Sequence, residues 1–367
     1  MNLARTRSRV QVVWAGLLLA GLMAFAVLAR AQASQTSISS ASSPARLYLP
    51  VVYDDAIPVL PPAPYSAAAR LEITPRKAIN ASTFNPGSFV VFNESRNDER
   101  LVELRIDLST AIFPNMVFDP YGDAGDRTAK DVEIDSGGDL VKGHHYESPR
   151  GGGYDVLVLN FRDERFKPGR VVTFSVDVDP TSIRGTYAPG PGESGSVGGL
   201  ELVGATVTAR FKDGTTLTGE VWRMDDAGAA GPDHSGGAAV LRPGQPARPQ
   251  IEALGVDAPA VVSLADQWVR VRGPAGTPVT VLVVEGGLFT EGATGPAPGP
   301  FEANNALTTR EYRGVVNAFG TADVLVALSR MPLPTGQTGF NIITAVFDDH
   351  HGLRGPVAEP IVLRLGH

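Results

Sequence analysis

The sequence contains no cysteine. That excludes a disulfide framework, a thiolate metal site, a cysteine nucleophile and a lipidated cysteine beside a signal cleavage site. Stability must then rest on packed cores and on any bound ions. Aromatic residues make up 7% of the chain and tryptophan numbers three, too few for a wide stacking platform. Basic charge is also short. Four of the 32 Lys and Arg residues (Arg5, Arg7, Arg9, Arg30) fall in the first 33 positions, which hold no Asp or Glu. The remainder carries 28 basic against 39 acidic side chains, a balance of −11. Such a surface repels phosphate backbones and anionic lipid heads, so nucleic acid is not expected as a partner; it suits neutral ligands and divalent cations. Catalytic signatures are missing too, with no HExxH, G-x-S-x-G, P-loop or dinucleotide fingerprint. Asp233-His234-Ser235-Gly236-Gly237 is a poor match to a serine nucleophile loop and falls in an expected linker.

What is present begins with an export segment. Arg5, Arg7 and Arg9 precede an apolar stretch from Val12 to Ala29, followed by small-x-small sites ending at Ala31 and Ala33. This order marks a secretory signal over 1–33, with an uncleaved N-terminal anchor as the alternative because the apolar stretch is long. Both readings put the rest of the chain outside the cytoplasmic membrane, secreted or at the cell surface. Residues 34–65 are Ser-rich, then Pro-rich, and read as a stalk.

From residue 66 the chain reads as strands. Gly 41 and Pro 29 are both raised, and short β-branched runs are broken every ten residues or so by Gly, Pro, Asn or Asp. Seven candidates fall in 66–223: Arg70–Ile73, Ser88–Phe92, Leu101–Leu108, Asp155–Phe161, Arg170–Val178, Leu200–Phe211 and Thr215–Trp222. In the fifth, Phe174, Val176 and Val178 alternate with Thr173, Ser175 and Asp177, the pattern of a sheet wetted on one face. Residues 224–249 are Gly/Ala/Pro-rich and read as a linker. About seven more candidates follow in 250–367. The expected fold class is therefore all-β: two β-sandwich domains, the first jelly-roll or immunoglobulin-like, the second immunoglobulin- or fibronectin III-like.

Chemistry concentrates in loops. Asp119, Asp123 and Asp126, in VFDPYGDAGD, are a possible structural calcium site, since calcium takes six to eight oxygen ligands. Asp131, Asp135 and Asp139 follow. Turn chemistry explains the same residues, and both readings stand at this point. His144, His145, Tyr146 and Glu147 read as a polar and aromatic loop that touches a sugar or a transition metal, or as a mobile hairpin loop; adjacent histidines on a strand face opposite ways, which is poor geometry for joint ligation. Asp348, Asp349, His350 and His351 read as a solvated turn, with a cation site at the domain edge as the alternative. Trp222 and Trp268 sit in apolar strands and are expected in cores. Tyr121, Tyr154 and Tyr187, in or beside loops, are the better candidates for stacking on a sugar.

Four segments, VFDPYGDAGD (117–126), GGYDVLVLNF (152–161), FSVDVDPTSIRG (174–185) and PGESGSVGGLELVGATVTARFKDGTTLTG (191–219), give the first domain a resemblance. It resembles all-β modules of secreted bacterial proteins that accompany malectin-like carbohydrate-binding domains. The resemblance implies extracellular carbohydrate association without catalysis. ITAVFDDHHGLRGPVAEPIVLRL (343–365) is similar to the end of a bacterial immunoglobulin-like repeat. The expected function is non-catalytic binding or adhesion to polysaccharide or surface glycan, with calcium as the one candidate cofactor. The ligand residues would be Tyr121, His144, His145, Tyr146 and Tyr154. A structural surface spacer is the alternative, and a polysaccharide-active hydrolase or lyase, built on carboxylates distant in sequence, is less favoured. The membrane would be touched only through an uncleaved N-terminal segment.

Overall fold

The computed structural model describes residues 66–75, 81–184, 197–224, 235–287, 305–329, 340–349 and 353–366. The expected signal or anchor, the stalk, Tyr187, His350 and His351 lie outside them. The described residues are all-β, with two short 3-10 turns and no α-helix.

The first module contains β1 (Ala69–Ile73), β2 (Phe89–Asn93), β3 (Leu101–Asp107), β4 (Met116–Phe118), β5 (Glu133–Ser136), β6 (Val141–Arg150) and β7 (Gly153–Phe161). It continues with β8 (Val171–Ser175), β9 (Val178–Pro180), β10 (Thr206–Phe211), β11 (Thr216–Glu220), β12 (Trp222–Arg223) and β13 (Gly237–Leu241). One sheet runs β12-β13-β1-β2-β8-β5; the other runs β11-β10-β3-β7-β4-β9, with β6 also pairing β7. Alternate residues of β1, β2, β3, β10 and β13 point inward, as a pleated sheet with one buried face requires. Leu71, Phe89, Val91 and Phe174 from the first sheet meet Leu104, Ile106, Leu157 and Leu159 from the second. Phe89 and Phe174 stack across β2 and β8 at 4.7 Å.

The second module holds β14 (Gln250–Ala253), β15 (Ala260–Val262), β16 (Asp266–Arg272), β17 (Pro278–Gly287), β18 (Asn305–Val315), β19 (Thr321–Ala327), β20 (Phe340–Phe347) and β21 (Ile361–Leu365). A three-stranded sheet, β14-β16-β19, faces a five-stranded one, β15-β21-β20-β17-β18. Its own core is built on Val269, Val271, Val281, Val326, Ile343 and Phe347. Leu282, Val284, Phe340, Ile342, Val346 and Val357 belong instead to the core of the first module. The five-stranded sheet thus packs on both faces, and β20 is buried along its whole length. Polar contacts rim the joint. The Val357 amide donates to the Glu220 carboxylate at 2.8 Å, Arg354 donates to the Arg223 carbonyl at 3.0 Å, and Arg248 bonds both Glu220 and the Val357 carbonyl.

Four sequence expectations are corrected. The expected linker 224–249 contains β13, which pairs with β1 from Ala69↔Leu241 to Ile73↔Gly237 and with β12 on its other edge. Its Gly and Ala composition serves close packing: a Cβ on Gly237 would lie 2.4 Å from the Gly199 carbonyl oxygen. Leu200–Phe211 is strand only from Thr206; the preceding residues form buried turns. Trp222 is in the core, but Trp268 is 47% exposed, on the outward side of the three-stranded sheet. The single strand expected over Arg170–Val178 is two, β8 in one sheet and β9 in the other, joined at a corner by Val176 and Asp177. The polar side of that stretch is consequently not wetted at its end.

Candidate functional site

The corner between β8 and β9 meets the loop that follows β4. Asp119 opens this loop and is fully buried. One of its carboxylate oxygens accepts from the Asp123 amide at 2.9 Å, the other from the Ala124 and Gly125 amides at 2.8 Å each. An Asp followed by small residues curls the backbone round its own side chain in this way. The loop ends at Asp126, whose amide donates to Asp179 Oδ2 at 3.1 Å and whose Oδ1 accepts from the Thr128 amide at 2.6 Å. Beneath the loop lies the β6–β7 turn. Gly152 there has φ +100°, and a Cβ on it would sit 2.4 Å from the Asp123 carbonyl oxygen. The Gly151-Gly152-Gly153 run is the seat of the acidic loop.

Asp126, Asp177 and Asp179 each bring a carboxylate oxygen to within 4.8 Å of the others'. Their exposures are 5%, 3% and 0%. Oδ2 of Asp177 and Oδ1 of Asp179 are buried without a hydrogen-bond partner. Burial, then the charges of Asp126 and Asp119, push the Asp177 carboxyl up to about 8. Burial and the Asp177, Asp126 and Asp119 charges likewise raise Asp179 well above the carboxylate range. Lys130 acts on Asp177 in the opposite sense, while its ammonium bonds the Phe84 carbonyl at 3.0 Å and Glu133 at 2.9 Å.

The expected trio is thus rearranged. Asp119 closes the loop with both oxygens, Asp126 joins the cluster, and Asp123 is exposed and outside it. Asp177 and Asp179 take the remaining places. Asp177 was legible only as a polar position of the strand expected over Arg170–Val178 and Asp179 lay just beyond it; the one signal of something else is Pro180 directly after Asp179, which marks a strand end. Asp135 accepts from the Gly87 amide at 2.7 Å, and Asp139 faces Arg170 at 3.5 Å. Asp348 accepts from Thr280 at 2.6 Å and pairs Arg354 at 3.1 Å, while Asp349 accepts from the Leu353 amide, as turn residues do.

Beside the loop runs a row of rings. Residues 144–147 lie in β6, not in a loop. Tyr121, 63% exposed at the loop tip, meets Tyr154 edge-on at 6.4 Å. Tyr154 stacks on Tyr146 at 5.1 Å, and Tyr146 meets His144 at 5.7 Å and Phe118 at 6.1 Å. Asp131 accepts from the Tyr146 hydroxyl at 2.8 Å and sits 2.9 Å from His144 Nε2. Burial pushes Asp131 up, but these bonds outweigh it and hold the carboxyl below its ordinary value. Burial and the Asp131 carboxylate raise the Tyr146 hydroxyl. His145 is turned away from the row, toward Glu147 at 3.2 Å and Asn160 at 3.5 Å. Four of the five expected ligand residues therefore share one patch, with His145 apart. No protein-family model matches the chain, and no curated protein matches it as a relative.

Proposed function

We propose that this is an exported, non-catalytic binding protein that attaches to extracellular carbohydrate through the patch of Tyr121, Tyr154, Tyr146, His144 and Asp131. The observation that carries the reading is Tyr121. Its ring is 63% exposed, yet the loop bearing it is tied down at Asp119 and backed by Tyr154. A preorganised aromatic face binds without paying to be ordered. Sugars present apolar ring faces and hydroxyls, and the patch offers a ring beside the carboxylate of Asp131 and the imidazole of His144. The resemblance of the first module to secreted bacterial modules points the same way, as does the acidic surface.

A second reading, a rigid surface spacer, is favoured by the joint in which β20 is buried on both sides. Retention on a panel of immobilised polysaccharides separates the two. Wild-type protein should be retained, and Tyr121→Ala should weaken retention about tenfold, the loss of roughly one ring contact, while thermal unfolding stays unchanged. A folded wild-type protein held by no polysaccharide in the panel overturns the binding reading.

A further inference from the structure

We infer that Asp126, Asp177 and Asp179 form a binding site for a hard divalent cation, calcium by preference, which locks the loop after β4 onto the β8–β9 corner. The inference stands independently of carbohydrate recognition. Three buried carboxylates within one ion's reach are costly unless their charge is offset. Two oxygens of these carboxyls, Oδ1 of the fully buried Asp179 and Oδ2 of Asp177, are buried with no hydrogen-bond partner. Buried polar atoms in folded proteins are overwhelmingly satisfied, so two orphans in one place point to a missing partner that accepts electron pairs. The donor set is oxygen alone, without His or Cys, which selects calcium or magnesium over zinc, copper or iron.

Backbone geometry fits the same conclusion. The amides of Asp123, Ala124 and Gly125 are consumed by Asp119, and the Asp126 amide donates to Asp179 Oδ2 alone, so none of these four backbone donors meets Oδ1 of Asp179 or Oδ2 of Asp177. Calcium tolerates irregular coordination by bidentate carboxylates, whereas magnesium demands a near-ideal octahedron; three Asp residues on a loop and a strand corner suit the former. The ion would join segments far apart in the chain, and so would hold Tyr121's loop in place from below.

Calorimetric titration of the chelator-treated full chain with calcium chloride tests this, with thermal unfolding as the second readout. One ion per chain should bind with a Kd of about 10⁻³ M or tighter, as in extracellular modules, and raise Tm by about 5 °C at saturation. Asp179→Asn and Asp177→Asn should each abolish the heat and the shift, with a metal-free Tm equal to or above that of wild type, because a buried carboxyl crowded by its acidic neighbours gives way to a neutral amide. Asp123→Asn, outside the cluster, should bind as wild type does. No binding at millimolar calcium or magnesium overturns the inference, as does a Tm shift that survives in both Asn variants. No sugar enters the assay, so its failure and that of the carbohydrate reading are separate results.

Discussion

Gly125 lies so close to Asp179 that a Cβ placed on it would be 2.1 Å from the Asp179 Cβ. The loop after β4 can close on the β8–β9 corner only if position 125 has no side chain. The close approach is between backbone and a side-chain stem, neither of which can swing aside.

Gly125→Ala should therefore destabilise the protein by about 3 kcal/mol, at the upper end for overpacking. Gly143→Ala is the control, since a Cβ there meets nothing within 4 Å. It should stay within about 0.5 kcal/mol of wild type. Denaturant unfolding of both variants measures the difference, and equal midpoints would show that the loop does not pack as described.

Tyr146→Phe should cost about 1 kcal/mol, below the roughly 1.5–3 kcal/mol usual for a hydrogen bond to a charged group, because Asp131 remains partly solvated. The ring stack on Tyr154 is kept, so the loss isolates the hydroxyl. Asp131, freed of that donor, should titrate closer to its ordinary value, as carbon-detected NMR of the carboxyl would record.

Acid should weaken the protein partly through Glu94. Burial raises its carboxyl, but hydrogen bonds from Arg70 and Arg242, at 2.7 and 2.8 Å, outweigh this and hold it below its ordinary value. A carboxylate lowered in the folded state stabilises fully above its ordinary value of 4.5, and that contribution fades as pH falls through the lower folded value. Urea midpoints of wild type and Glu94→Gln should thus differ most at neutral pH and converge in acid. A gap that stays constant to pH 3 would refute the linkage.

Phe340 pairs within the second module's sheet but packs in the first module's core. Scanning calorimetry should accordingly show one cooperative transition for the two modules. Phe340→Ala should cost about 4 kcal/mol and broaden or split that transition. Two separated transitions in the wild type would mean the joint carries no coupling.

Legibility in the sequence followed the physics of each element. Where a strand covers a core on one side, as β1 and β10 do, alternation of apolar and polar residues shows it directly. It fails at corners: VDVDP keeps its alternation while the chain passes from one sheet to the other, so Asp177 reads as wetted and is buried. Composition misled at β13, where Gly237, Ala238 and Ala239 are small for close packing and not for flexibility. Trp268 shows the opposite failure, an apolar neighbourhood in sequence that ends on an outward face. At the site, the acidic loop and the ring residues could be listed from sequence. Which acids converge is set by a contact between positions about fifty residues apart, and no local pattern carries that.

The pairing of β1 with β13 has a consequence for how the molecule comes into being. Ala69 finds Leu241 as its neighbour, so during synthesis one edge of an early strand stays open until a much later segment emerges. An open edge of apolar strand is a template for any passing chain. Fragments ending at Arg223 keep that edge bare and should aggregate, whereas the full chain, in which β13 covers it, should stay in solution.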